Sequence, residues 1–365
     1  MKALSSMGAL FLVAGALPIA ACAAPPLDSL QVPAGFHVAL YSDAVPGARA
    51  MAVGKQGTVF VGSVGGTVYA LTDTQHTGQG DEVRVIATGL NKPTGVTMYK
   101  GDLYVSAIDS ILKFPDIEDH LDDPPAPQVV TDQLPAEAHA NGRFIAFGPD
   151  GKLYVSIGAP CNVCAKPGYA KIISMNPDGS NMQDVALGVR NSVGFDWQPG
   201  SHKMWFTDNG RDDMGDNIPS DELNRLDSIG ENYGFPYCHA GNIPDPKFGR
   251  IYPCSDFVPP AFKPGPHMAT LGMRFYKGSV FPAAYRGAIF IAEHGSWDRS
   301  SKVGYRVVAV RVQGDQALSQ QPFLTGFLNG QDTLGRPVDV QPLQDGSLLV
   351  SDDFNGAIYR VTYGN

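Results

Sequence analysis

The sequence predicts an all-β fold, a six-bladed β-propeller, and three observations predict it. The first is a short phrase that recurs six times, beginning near Gly57, Gly101, Gly151, His202, Gly287 and Gly346, at spacings of 44, 50, 51, 85 and 59 residues. Each copy alternates apolar and polar positions, as in Gly101-Asp-Leu-Tyr-Val-Ser106 and Gly151-Lys-Leu-Tyr-Val-Ser156. A period of roughly 40–50 residues built from short strands is the signature of propeller blades. The second is composition: 43% of the 365 residues are hydrophobic, while 42 glycines and 29 prolines mark many turns. The third is the pairing of Gly35–Tyr41 with Ala357–Tyr363, two alternating segments at opposite ends of the chain. Joining them would close the ring and remove exposed sheet edges.

In chain order, the N-terminus reads as an export signal over residues 1–21. Lys2 precedes the apolar run Met7–Ala21, which is short for a membrane span. Ile19-Ala20-Ala21-Cys22 resembles a bacterial lipobox, which would lipidate Cys22 and attach it to a membrane; ordinary cleavage beside the small residues is the other reading. Either places the mature protein outside the cytoplasm, in the periplasm. Residues 22–30 read as a Pro-containing tether, and residues 31–365 as the propeller. Asp-Gly turns are expected at Asp150-Gly151, Asp178-Gly179 and Asp345-Gly346. A short helix is expected around Ser220–Leu226. The long interval between the copies at His202 and Gly287 must hold an insertion. Long loops on a rigid scaffold carry function, so this interval is a first place to look for a site.

Five cysteines are present. With Cys22 lipidated, four remain, and proximity pairs Cys161 with Cys164 and Cys238 with Cys254 as disulfides of an oxidising compartment. Ala165 follows Cys164 where haem attachment needs a histidine, and the second cysteine pair lacks zinc spacing. The formal charge of −9 and the lack of a basic stripe exclude a general nucleic-acid binder. No phosphate-binding loop, nucleophile elbow or His-Glu-x-x-His motif occurs.

Four segments beside blade strands can carry chemistry. His139-Ala-Asn-Gly-Arg143 puts an imidazole, the usual general base, at a strand entrance; a structural hydrogen-bonding histidine is the plainer reading. Arg190-Asn191 offers a planar donor fork beside an amide, suited to a carboxylate or quinone oxygen; a surface ion pair is the plainer reading. Residues 208–222 hold Asp208, Asp212, Asp213, Asp216, Asp221 and Glu222, a density of oxygen ligands that suits Ca²⁺ or, more plainly, a solvated acidic loop. Glu293-His294-Gly295 and Gly335-Arg336 form a fourth set near the C-terminus, with His267 a weaker addition.

The ordered set His139-x-Asn-Gly-Arg, Leu187-Gly-Val-Arg-Asn191, Asp221-Glu-Leu-Asn224 with Glu231-Asn-Tyr-Gly-Phe-Pro236, and Arg336-Pro-Val-Asp-Val340 resembles the soluble PQQ-dependent sugar dehydrogenases. The likeness is to their sorbosone- and aldose-dehydrogenase branches and spans roughly Leu30 to Tyr363. It implies a six-bladed propeller binding pyrroloquinoline quinone (PQQ) with Ca²⁺, an aldose or related aldehyde sugar as substrate, and an external electron acceptor. It implies His139 as the base and a catalytic and cofactor role for Arg190, with Asn191, His294 and Arg336 also on the cofactor. The backbone of Gly210 and Arg211, with Asp221 and Glu222 nearby, is implied around calcium. The chain departs from the family pattern with Ala138 before His139, Asn209-Gly-Arg in the calcium segment, His at 294 in place of Lys, Val at 338 in place of Arg, and Asn91-Lys-Pro93 in an early blade. A non-catalytic binding propeller on the cell surface and a calcium-dependent lactonase-type hydrolase are the alternatives; the concentration of carboxylates in one loop counts against the second.

Overall fold

The computed structural model describes residues 24–137 and 142–364. The export signal, Cys22 and His139 lie outside the described residues. Six antiparallel sheets follow one another along the chain. Blade 1 is Ala48–Val53, Val59–Ser63, Val68–Thr72 and Glu82–Ala87. Blade 2 is Gly95–Tyr99, Asp102–Ser106, Ile111–Phe114 and Gln128–Thr131. Blade 3 is Ile145–Phe147, Leu153–Ile157, Lys171–Met175 and Gln183–Leu187. Blade 4 is Phe195–Trp197, Met204–Asp208, Ser220–Arg225 and Phe262–Pro266. Blade 5 is Thr270–Phe275, Ile289–Glu293, Arg306–Gln313 and Gln316–Leu324. Blade 6 takes Pro337–Pro342, Leu348–Asp352 and Ala357–Tyr363 from the C-terminus and Phe36–Ser42 from the N-terminus. That last pairing is antiparallel, with Val38 opposite Val361, so the ring closes where the sequence predicts.

The repeat has a physical basis. The residue after each phrase's apolar core is Gly62, Ser106, Ser156, Thr207, Ala292 or Ser351, always small. In alternate blades its hydroxyl donates to a carbonyl on the next blade: Ser106 Oγ to Arg143 O (2.8 Å), Thr207 Oγ1 to Leu271 O (2.6 Å) and Ser351 Oγ to Arg49 O (2.8 Å). At Gly62 a Cβ would come within 2.4 Å of Pro93 O, so nothing larger fits there. Blades also lock through carboxylates. Asp196 accepts Phe275 N, and Asp339 accepts Met51 N, each at 2.9 Å across a blade boundary. Between blades, apolar faces fill the core. Phe36, Phe281, Phe290 and Phe323 pack edge to face where the closing strand meets blade 5.

The Asp-Gly turns form as expected. Gly151, Gly179 and Gly346 all take positive φ, and the preceding aspartates accept the N–H two residues on, at Lys152, Ser180 and Ser347. One local expectation is overturned. Ser220–Arg225 is the third strand of blade 4, paired with Met204–Asp208, and not a helix. Its polar start suits a helix N-terminus, but the long-range ladder decides. Helix among the described residues is confined to four three-residue 3₁₀ turns. No helix there is long and apolar enough to cross a membrane. The insertion falls between the third and fourth strands of blade 4. Its Glu231–Asn232 pairs parallel with the outer strand of blade 3, and Cys238–Cys254 staples it. Cys161 and Cys164 form the second disulfide.

Candidate functional site

The connections between second and third strands differ sharply. In blades 1, 2 and 6 they are residues 64–67, 107–110 and 353–356. In blades 3, 4 and 5 they are residues 158–170, 209–219 and 294–305. The three long loops enclose a cavity of about 250 Å³ on one face of the ring. Arg190, Asn191, Gly210, Arg211, Asp212, Asp221, His267 and Trp297 all line it.

Arg190 and Asn191 enter from the blade 3 to blade 4 connection. Their backbone N–H groups donate to the buried Asp208 carboxylate at 2.8 and 2.6 Å. Burial and the neighbouring Glu222 push the Asp208 carboxyl up, with those N–H bonds opposing. The Arg190 guanidinium donates five times within the protein: Nε to Asn162 O, Nη1 to Asn209 O and Gly210 O, and Nη2 to Asn162 Oδ1 and Asp212 Oδ2. Five donors are all a guanidinium has. The fork expected to face a ligand therefore holds the loops of blades 3 and 4 together. The Asn191 side chain makes no hydrogen bond among the described residues, and a Cβ on Gly158 would approach its Oδ1 to 3.1 Å.

Gly210 and Arg211 lie on the loop after the second strand of blade 4. Gly210 N donates to Asp221 Oδ1 (2.9 Å), and its carbonyl accepts Arg190 Nη1 (2.7 Å). A Cβ there would meet Pro219 at 3.1 Å. No N–H among the described residues donates to the Arg211 carbonyl. Its side chain pairs with the buried Asp245 of the insertion, which also contacts His239 Nε2 at 3.0 Å and accepts the N–H of Lys247 and Phe248. Burial alone would raise the Asp245 carboxyl. The His239, Phe248, Arg211 and Lys247 hydrogen bonds overcome this and hold it at about 2.

Asp221 and Glu222 do not meet at one point. Neighbours on a strand face opposite ways. Asp221 lines the main cavity, with Oδ1 on Gly210 N and Oδ2 on Thr270 N. Glu222 faces a smaller space behind it, where it accepts Ala240 N and Asn224 Nδ2. The strand therefore places the two side chains that the resemblance implies around one ion in different spaces. Burial raises the Asp221 carboxyl to about 6 and the Glu222 carboxyl to about 7.

His294 and Arg336 form a second cluster and do not line this cavity. His294 Nε2 sits 2.9 Å from Asp353, whose other oxygen takes Arg49 Nη1 at 2.8 Å. Burial lowers the His294 pKa, with Asp353 opposing. Arg336 donates to the carbonyls of His294 and Gly295 and lies over the Tyr305 ring. Of Arg190, Asn191, His294 and Arg336, expected around one ligand, only the first two line this cavity. Sequence reading missed Asn162, Asp245, Trp297, Asp298 and Asp353. Asp298 joins Asp212 and His267 in a group whose ligand-type atoms lie within 4.8 Å of one another. No motif marks these residues, since their partners are 50 or more positions away or sit in irregular loops.

Residues 120–360 match the family model described as Glucose / Sorbosone dehydrogenase. The chain belongs to the glucose/sorbosone dehydrogenase family. An uncharacterized protein of Borreliella burgdorferi is 36% identical over 353 residues, covering 92% of this chain and 91% of the relative. Aldose sugar dehydrogenase YliI of Escherichia coli is 28% identical over 194 residues, 51% of this chain and 46% of its own. Among solved structures, the holo PQQ domain of pyranose dehydrogenase from Coprinopsis cinerea shares the fold, with TM-score 0.80 at 19% identity over 91% of this chain and 97% of that one. The PQQ-bound aldose sugar dehydrogenase of Streptomyces coelicolor shares it at TM-score 0.66 and 19% identity, over 91% and 99%. In this family member, the matched region spans blades 3 to 5 and so contains the cavity.

Proposed function

We propose that this protein is a PQQ- and Ca²⁺-dependent dehydrogenase of an aldose or related aldehyde sugar, passing electrons to an external acceptor. The observation that carries the reading is convergence: Arg190-Asn191 and Gly210-Arg211, which the family resemblance assigns to cofactor and metal, line one cavity. The donor set fits an anionic quinone. Asn191 keeps its amide, Arg211 keeps Nη2 without a protein partner among the described residues, and Gly210 adds no side chain to the wall. The open Arg211 carbonyl fits a calcium ion. Bound PQQ would supply a two-electron acceptor, with calcium polarising its quinone.

The chain's own residues orient and move the proton. His139 takes the proton from the sugar hydroxyl. Arg190 fixes the Asn209 and Gly210 carbonyls and the Asp212 carboxylate. Asp208 fixes the backbone that presents Asn191. Arg211 is held by Asp245, so the stapled insertion sets its position. His294 and Arg336 act from the second cluster, joined to the cavity wall through Gly295 and Ser296.

The test is reconstitution of the full chain with PQQ and Ca²⁺ and a dye-coupled assay on an aldose panel. Turnover requiring both additions and absent in His139→Ala supports the reading. No turnover on any sugar, with no change in quinone absorbance on mixing, favours a non-catalytic binding propeller. Export through residues 1–21 and lipidation of Cys22 complete the proposal; the two disulfides support an oxidising compartment. Loss of fatty-acid labelling in Cys22→Ser checks the anchor, and no labelling of the wild type would refute it.

A further inference from the structure

The N-terminal segment ahead of the closing strand is docked on the ring. Ser29 Oγ donates to Gly326 O at 2.8 Å, and Gln31 and Thr325 exchange both backbone hydrogen bonds at 3.0 Å. A Cβ on Gly326 would come within 2.0 Å of Ser29 O, so the two stretches touch directly. Leu27 and Leu328 pack against the same core cluster. Residues 325–336 join the fourth strand of blade 5 to the first strand of blade 6. In an antiparallel blade, that connection leaves on the same face as the loop between second and third strands. The segment therefore docks on the cavity-bearing face, at the junction of blades 5 and 6. Cys22 stands three positions before Pro25, a reach of at most about 11 Å.

The same face presents bare apolar side chains. In the described loops between second and third strands, the exposed large hydrophobics are Ile218, Trp297 and Phe354, at 41%, 71% and 44% exposure. They belong to blades 4, 5 and 6 in succession, the half of the ring where the segment docks. Their loops are fixed. Asp213 N donates to Asp298 Oδ2 (2.7 Å) and Arg299 Nη1 to Asp216 O (3.0 Å), which ties the loops of blades 4 and 5. Lys302 N donates to Gln331 Oε1 (2.8 Å) and its Nζ to Thr333 Oγ1 (3.0 Å), which ties the blade 5 loop to the docking connection. Asp352 Oδ1 accepts both Arg336 N and Phe354 N. Apolar side chains held in water on ordered loops mark a contact surface.

Two observations select a lipid surface over a protein. The first is chemical. The three side chains stand on separate loops, and the loops of blades 4 and 5 also carry Asp213, Asp298, Arg299 and Lys302. A protein interface buries an apolar centre depleted in charge. A zwitterionic headgroup layer solvates charges of both signs, while aromatic rings settle at its depth. The second is the docked segment, which brings the expected lipid position to this face. A lipid chain with an added apolar patch supplies the two signals that stable attachment takes.

We infer that the protein lies against a bilayer on the cavity-bearing side of blades 4–6, with Ile218, Trp297 and Phe354 in the headgroup layer. The side of blades 1–3 stays in water and leaves the cavity a route to solutes. The inference rests on the lipidation reading for its anchor, and it is independent of the dehydrogenase reading.

The experiment is tryptophan quenching on phosphatidylethanolamine–phosphatidylcholine vesicles whose acyl chains carry bromine. The proteins are the processed full chain, Cys22→Ser, Trp297→Phe, and Trp297→Phe combined with Val280→Trp. Val280 is an exposed residue between the first two strands of blade 5, on the opposite face. Emission lost in Trp297→Phe reports position 297, since Trp205 is buried and Trp197 half-buried. Bromine is expected to quench that emission and to spare the Val280→Trp indole. Ile218→Ser, Trp297→Ser and Phe354→Ser together should lower vesicle partitioning of the Cys22→Ser chain by at least about tenfold. A vesicle-bound chain with Trp297 unquenched, or with the Val280→Trp indole quenched instead, overturns the inference even where Cys22 is lipidated. No vesicle binding by the full chain overturns it too. Quenching of Trp297 in a chain that takes up no fatty acid sinks the lipidation reading and keeps this face. A response to cell membranes but not to pure lipid overturns the inference in favour of a protein partner.

Discussion

Blades 2 and 4 are built on the same four strands, and they differ in what leaves those strands. In blade 2 the turn at residues 107–110 returns directly to the sheet, with Ala107 N bonded to Ser110 O. In blade 4 the same connection is residues 209–219, and a stapled insertion follows before the fourth strand. Blade 2 satisfies its inner edge with hydroxyls, as Ser106 does with Arg143 O. Blade 4 buries Asp208, Asp221 and Glu222, and Arg211 ties it to Asp245. The repeat therefore secures the ring, while the departures from it concentrate charge. Burying charge is costly unless every group is paired. That cost makes blade 4 the sensitive region and blade 2 the tolerant one.

The contrast is sharpest at Asp245. Asp245→Ala leaves Arg211 and His239 without their buried partner and should cost about 3–5 kcal/mol; chemical denaturation reads this directly. The matched control is Asp122→Ala, which removes the largely exposed partner of Arg84 on the blade 1 and 2 side. That change should cost under about 1 kcal/mol. Equal losses at the two positions would break the comparison. Next in size is Arg190→Lys. Charge is kept but the fork that joins Asn162, Asn209, Gly210 and Asp212 is lost, for an expected loss of about 2–3 kcal/mol and weaker PQQ binding in an absorbance titration. Ser106→Ala, in the tolerant blade, leaves the Arg143 carbonyl short of one donor and should cost about 1–2 kcal/mol by the same denaturation measurement.

A further effect is read by its sign with pH. Burial pushes the Glu293 carboxyl from its ordinary 4.5 up to about 7, with Arg306 opposing. A raised carboxyl binds its proton more tightly in the folded state, so its ionisation weakens the fold as pH climbs from 4.5 towards 7. Glu293→Gln should therefore gain stability relative to wild type across that window and match it below 4.5. Melting temperatures of both proteins from pH 4 to 8 check the sign; a gap that widens on acidification contradicts it.

Much of the fold is legible in the sequence because its signals are local and repeated. The small residue after each apolar core, the Asp-Gly turns and the two terminal strands each carry a direct steric or hydrogen-bonding reason. The nearby cysteine pairs need only short spans of chain. The site is legible to a lesser degree. Arg190, Asn191 and Gly210 could be picked out, but not that the Arg190 donors turn inward, since their acceptors lie on other loops. Asp221 and Glu222 come as a pair from the family resemblance, with Ser220–Leu226 expected to be helical. Once that segment is a strand, alternation sends the two side chains apart. Trp297 and Asp245 carry no pattern at all. Their meaning comes from a cavity and an ion pair that exist only after the blades assemble.

The most direct test of the dehydrogenase account is a single-turnover experiment. The full chain is loaded with PQQ and Ca²⁺ under anaerobic conditions, mixed with an aldose, and followed by visible absorbance without any dye. Rapid reduction of the bound quinone in the wild type, and slow or absent reduction in His139→Ala that still binds the quinone, is the predicted result. Quinone that binds but stays oxidised with every aldose and aldehyde sugar tried would contradict the account.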